Sequence, residues 1–197
     1  MEKENINNIE KKEDFNLSPI FGAILVVGLL YFVFGHLNST STQQNINNYW
    51  IAYSSPSADF NVSLPSEPEH KNYNFPVPDS NMSYTQDMYT SKISGYAFLI
   101  SKIIYSSPID VSNPDNLLKG SLSNMLKTDS GNSLISSDSG NFKGNHSLDF
   151  SMETKSFGTF IKGKIILNGQ TIYLLSVESE NATPANYDKF VDSFEIR

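Results

Sequence analysis

The chain has 197 residues, 39% hydrophobic and 18% charged, with 13 Phe, 10 Tyr, one Trp and no Cys. Without cysteine it can hold no disulfide, thiolate zinc site, iron–sulfur cluster or cysteine nucleophile, and its formal net charge of −7 argues against a broad nucleic-acid surface. The aromatic content suffices for a packed core, and the mean hydropathy of −0.31 averages two unlike parts.

Residues 1–17 are polar and carry Lys3, Lys11 and Lys12 among five acidic residues, which reads as a disordered cytoplasmic tail. Ile20 to Phe34 then runs without a charged residue, and Pro19 to Leu37 makes 19 residues, enough for a helix of about 28 Å. Asn16 or Ser18 caps its start and Pro19 suits the first turn. A transmembrane helix over 18–37 is therefore expected, retained as a single-pass signal-anchor. A cleaved signal peptide fits less well, because no small-x-small site follows at Phe34-Gly35-His36-Leu37. A core helix covered on one side would not be apolar all round. After the span no Lys or Arg occurs before Lys71, so the lysine bias places the N-terminus in the cytoplasm and the remainder outside. Residues 38–48, polar and uncharged, read as a flexible spacer.

One extracytoplasmic domain is expected over 49–197, carrying −5 of the net charge once the tail is subtracted. Its pattern is mostly of period two. A first strand is expected over Tyr49–Tyr53 and a second at Phe60, Val62 and Leu64, ended by Pro65. Pro65, Pro68, Pro76 and Pro78 suggest an extended loop. Met82–Thr90 and Tyr96–Tyr105 form a hairpin turning at Ser94-Gly95, and Pro108–Ser112 is a loop. Asn113-Pro114-Asp115 is a helix start, with cap, proline and first-turn acid. Leu117, Leu118, Leu122, Met125 and Leu126 follow at helical spacing. Asp129-Ser130-Gly131-Asn132 and Asp138-Ser139-Gly140-Asn141 repeat one tetrapeptide, read as two turns around a short strand, since the acids and the bidentate Glu of a calcium loop are missing. His146–Thr154 alternates. Phe157–Leu167 and Gln170–Glu178 flank Asn168-Gly169, a type I′ hairpin signal that sets Ile165 opposite Ile172 and Gly163 opposite Leu174. Thr183-Pro184 opens a last helix that presents Tyr187, Phe190 and Phe194 on one stripe. The sum is α+β, an antiparallel sheet flanked by two helices and preceded by one transmembrane helix.

Three signatures stand in order: Phe60-Asn61-Val62-Ser63-Leu64-Pro65, Gln170-Thr171-Ile172-Tyr173-Leu174-Leu175-Ser176-Val177, and Tyr187-Asp188-Lys189-Phe190-Val191-Asp192-Ser193-Phe194. Together they resemble the PsbP/Mog1-like group of extracytoplasmic domains, which includes uncharacterised anchored bacterial proteins. The resemblance covers 49–197. It implies an α/β/α sandwich and no enzyme; relatives of the fold serve as adaptors, but the fold transfers no function and carries over no catalytic residue.

The residues themselves offer little chemistry. The domain has two histidines. His70, in Glu67-Pro68-Glu69-His70, reads as a solvated loop residue without the partner histidine a metal site needs, and His146 as a surface residue at a strand start. Gly-x-Ser-x-Gly, His-Glu-x-x-His and phosphate-loop motifs are missing. No catalytic, metal or cofactor residue is therefore assigned and no cofactor is expected. Lys162 and Lys164 share one side of a strand and read as a solvated edge rather than an anion patch. Trp50, Tyr49 and Tyr53 read as first-strand core rather than a recognition patch. Sequons at Asn38, Asn61, Asn81, Asn145 and Asn181 matter only in a eukaryotic secretory pathway. The expectation is a membrane-tethered binding module for an unidentified protein partner, with no nucleic acid. The alternatives are an envelope hydrolase with an unrecognised Ser/His/Asp site and a carrier of a small apolar ligand.

Overall fold

Ser83 to Ile93 (β4) and Tyr96 to Tyr105 (β5) build a long hairpin, paired antiparallel from Tyr84 opposite Tyr105 to Ile93 opposite Tyr96. The structure, a computed structural model, describes residues 50–77, 80–93 and 95–197. The expected tail, the membrane helix over 18–37 and the spacer lie outside the described residues, among which no helix is long and apolar enough to cross a membrane.

The hairpin sits inside a seven-stranded antiparallel sheet. The other strands are β3 (Glu69–Pro76), β6 (Asn132–Phe142), β7 (Asn145–Thr154), β8 (Thr159–Asn168) and β9 (Thr171–Ser179), in the order β3-β4-β5-β9-β8-β7-β6. A second sheet joins β1 (Ile51–Ser54), β2 (Phe60–Leu64) and β10 (Glu195–Ile196) in the order β1-β2-β10. Two helices complete the described chain, α1 (Pro114–Lys127) and α2 (Tyr187–Asp192). As the sequence implies, Asn113 caps α1: its side chain accepts a hydrogen bond from Asn116 N at 3.1 Å, with Pro114 in the first turn.

Each face of the large sheet has its own core. On one face Leu117, Leu118, Leu122 and Met125 of α1 pack on Leu148, Phe150, Met152, Ile161, Ile165, Ile172 and Leu174. On the other, Phe60, Val62 and Leu64 of β2 and Tyr187, Phe190 and Val191 of α2, with Phe194, pack on Phe98, Ile100, Ile166, Tyr173, Leu175 and Val177. Apolar side chains on both faces of β5 and β9 place these strands at the centre of the molecule.

Five expectations are corrected. The domain is richer in sheet than a helix-flanked sandwich, because the second face is covered by a three-stranded sheet and a six-residue helix. The proline-punctuated stretch contains an eight-residue strand, β3, which tolerates Pro76 because that residue ends an edge strand. Asp138-Ser139-Gly140-Asn141 lies within β6 rather than in a turn, and the chain reverses at Lys143-Gly144, both at positive φ. The β8–β9 turn is Gly169-Gln170, so Ile165 faces Leu174 and Gly163 faces Ser176. Only Gly169 there has positive φ, as a type II′ turn requires, and the two-residue displacement leaves every side chain on its expected face. The last helix begins at Tyr187 after Asn186 in the left-handed region, three residues beyond Pro184, yet Tyr187, Phe190 and Phe194 are all buried.

Candidate functional site

The strand order leaves β3 and β6 as the edges of the large sheet. Natural edges are blunted by lysine, proline or bulges. The β3 edge carries Lys71 and ends in Pro76. The β6 edge is 11 residues long, reads NSLISSDSGNF without Lys, Arg or Pro, and has a bulge between Leu134 and Ser136. At this bulge the side chains of Leu134 and Ile135 are 44% and 56% exposed, which makes this the more apolar and less guarded edge.

A cleft of about 470 Å³ opens beside β6, on the face that carries α2. Ser136, Asp138 and Phe142 of β6 line its outer wall, Asp149 and Ser151 of β7 and Lys162 and Lys164 of β8 its floor, and Tyr187, Asp188 and Asp192 of α2 its inner wall. The period of two places Asp138, Asp149 and Lys164 side by side across β6, β7 and β8. Lys164 Nζ lies 2.6 Å from Asp149 Oδ2, and Lys162 Nζ lies 3.5 Å from Asp188 Oδ1 and 4.2 Å from the centre of the Tyr187 ring. Lys143 and Lys164 stand 5.3 and 5.4 Å from the Phe142 ring centre. Both lysines lining the cleft are thus engaged, whereas the side-chain carboxylates of Asp138 and Asp192 have no ion-pair partner among the described residues. The expectation of a solvated edge for Lys162 and Lys164 is corrected: Lys164 is only 12% exposed and both line the cleft.

Tyr187 closes the inner end. Its hydroxyl is buried beside the Asp149 carboxylate, close to it but not in bonding geometry. Burial raises its pKa, and the nearby Asp149 and Asp188 carboxylates add to the effect, so the phenol stays neutral. The cleft therefore offers a neutral hydroxyl, two aromatic rings and a surplus of carboxylates.

The histidines lie elsewhere. His70 stands on β3, not in a solvated loop. Its Nε2 donates to Asp87 Oδ1 at 3.0 Å, Asn72 Nδ2 donates to the same oxygen at 2.8 Å, and its ring stacks on Tyr89 with centres 4.3 Å apart. No serine hydroxyl bonds to His70 among the described residues. His146 is exposed on β7, opposite Asn141 and Leu167. Trp50 is half-buried, edge-on to Phe98 at 5.5 Å with Lys189 Nζ 4.4 Å from its ring, and Tyr53 packs against Phe60 and Tyr89. Tyr49 lies outside the described residues.

The sequence points to Lys162 and Lys164 but not to Asp138, Asp149, Tyr187 and Asp192 as their neighbours, because it places a turn where β6 runs on into its hairpin with β7, and α2 joins from a distant segment. Period-two parity could have shown that Asp149, Lys162 and Lys164 share a face. The order of β6, β7 and β8 was needed to join them.

No family model and no curated protein matches the chain. Among solved structures it is similar to a Pseudomonas aeruginosa protein of unknown function, at 12% identity and a TM-score of 0.38 over 68% of this chain and 85% of that one. It is similar to CyanoP, the cyanobacterial PsbP of Synechocystis, at 9% identity and a TM-score of 0.49 over 82% of this chain and 99% of that one. It is also similar to a Bacteroides thetaiotaomicron protein at 15% identity and a TM-score of 0.34, over 74% of this chain and 48% of that one.

Proposed function

We propose that the chain is a single-pass membrane protein in which Pro19–Leu37 holds a PsbP/Mog1-like domain outside the membrane, where the domain binds a protein partner and catalyses no reaction. The observation that carries the binding role is the β6 edge, free of Lys, Arg and Pro, with its adjoining cleft. An edge strand presents a row of backbone donors and acceptors, and an extended segment of another protein adds to it as a further strand, with the cleft reading its side chains. The family reading is supported by the meeting of its three sequence signatures in one core: Phe60, Val62 and Leu64, then Tyr173, Leu175 and Val177, then Tyr187, Phe190 and Phe194. The anchor reading rests on the uncharged run from Ile20 to Phe34 and the lysines that precede it.

A photo-crosslinking residue at Ser137 on β6, compared with one at Asn74 on β3, tests the binding role in cells. A discrete partner crosslinked through an extended segment from Ser137 and not from Asn74 is the expected result. Equal crosslinking from both edges, or turnover of a substrate by the purified chain, overturns it. Protease added to intact cells is expected to remove the domain, and full protection overturns the orientation.

A further inference from the structure

We infer that the segment received by β6 is a basic one, an extended stretch of a partner protein with lysine or arginine at positions i and i+2, whose side chains enter the cleft between β6–β8 and α2. This rests on the strand-addition reading above. A strand paired to β6 continues the pleat, so every second side chain stands over the same face as Ser136, Asp138 and Phe142, which are the β6 residues bordering the cleft. The other side chains stand over the opposite face beside Ser137 and Ser139, where small hydroxyls select little.

Charge decides what the alternate side chains are. The cleft is lined by four carboxylates, Asp138, Asp149, Asp188 and Asp192, against two ammonium groups, Lys162 and Lys164. Asp149 and Asp188 engage those two lysines, and Lys143 Nζ donates to the Asp192 backbone carbonyl at 2.8 Å, so the uncompensated negative charge lies chiefly at Asp138. Asp138 projects from β6 itself, next to the incoming strand, and Asp192 lies across the cleft on α2, where only a long side chain reaches. The Phe142 ring is already used by Lys143 and Lys164 of the chain itself, so the incoming cation is held by the carboxylates. The buried Tyr187 hydroxyl can accept from an ammonium or guanidinium that reaches the inner end. An acidic segment would place its carboxylates against Asp138 while finding both lysines engaged, so the same geometry disfavours it.

The full-length chain in detergent micelles, titrated against fluorescent synthetic octapeptides by anisotropy, tests the inference. The probes are one alternating lysine and threonine, an isomer of the same composition with its lysines in one block, and an uncharged one alternating threonine and glutamine. The alternating lysine peptide is expected to bind about tenfold more tightly than either of the others, as two favourable but partly screened charge contacts allow. Asp138→Asn should remove most of that preference while leaving the melting temperature unchanged. If the uncharged peptide binds as tightly as the alternating lysine peptide, the edge works but the basic preference is wrong. If the blocked isomer binds equally, the attraction is unspecific charge and the inference is overturned. If none of the three binds, strand addition at β6 falls with it.

Discussion

Gly163 on β8 lies directly opposite Phe150 on β7, and the phenyl ring occupies the space where a side chain at position 163 would begin. A Cβ built there would fall onto two ring carbons and come within 3.1 Å of the Leu175 carbonyl oxygen. Phe150 is 2% exposed and packed in the core with α1, so the ring yields only at a cost. Gly163→Ala should therefore destabilise the fold by about 1–3 kcal/mol in urea unfolding. Phe150→Leu should recover part of the loss in the double variant, since the two positions share one space. Additive effects would refute the account.

Glu178 gives the fold an unusual pH dependence. It is 3% exposed on β9 and neither carboxylate oxygen completes a hydrogen bond. Burial pushes its carboxyl from the ordinary 4.5 up to about 7, although the Thr159 hydroxyl, close but not in bonding geometry, and the Lys92 ammonium pull it the other way. Between these pH values the folded chain keeps a proton that the unfolded chain has released. The contribution of Glu178 is thus complete below about pH 4.5 and is lost as pH rises to about 7, amounting to up to about 3 kcal/mol. Glu178→Gln mimics the protonated form, so its stability relative to wild type should climb across that window and level off above it. A difference independent of pH would show that Glu178 is ionised and compensated in the fold.

Lys102 is buried at the centre of β5 and paired with Asp59, which is half-exposed. Partial burial opposes ionisation of Asp59, but hydrogen bonds from Lys102 and Ser57 outweigh it and hold the carboxyl below its usual range. Removing the carboxylate leaves a buried ammonium without its ion-pair partner, whereas replacing the ammonium leaves a partly exposed carboxylate that water can solvate. Asp59→Asn is therefore expected to cost about 2 kcal/mol after allowance for solvent around Asp59, and Lys102→Met less. The reverse order of urea midpoints would contradict this.

Asn113 holds the first turn of α1 through Asn116 N. Asn113→Ala should cost about 1 kcal/mol and Asn113→Asp almost nothing, read from thermal unfolding. An equal loss in both would place the role of Asn113 outside the cap.

How much of the molecule was legible depended on the range of the interaction. The cap of α1, the β4–β5 hairpin and the stripe of Tyr187, Phe190 and Phe194 depend on residues within a turn or two of one another, and they were readable. β3 was misread because prolines that mark loops are also tolerated at sheet edges, and nothing local says where an edge is. The β8–β9 register was misplaced by two residues because Asn168-Gly169 and Gly169-Gln170 both offer a glycine to the turn, and only the full ladder from Thr171 to Ser179 chooses between them.

By itself the sequence determined the alternation that gives each strand its two faces, the aromatic and aliphatic residues that fill both cores, and the uncharged run Ile20 to Phe34. These follow from local periodicity and from the cost of exposing apolar surface or burying polar groups. Only the tertiary structure decided that β6 is an edge, that Asp138, Asp149, Lys164 and Tyr187 converge beside it, and that His70 meets Asp87. The edges are set by the pairing of β5 with the distant β9, and backbone hydrogen bonds leave no pattern in the side-chain sequence.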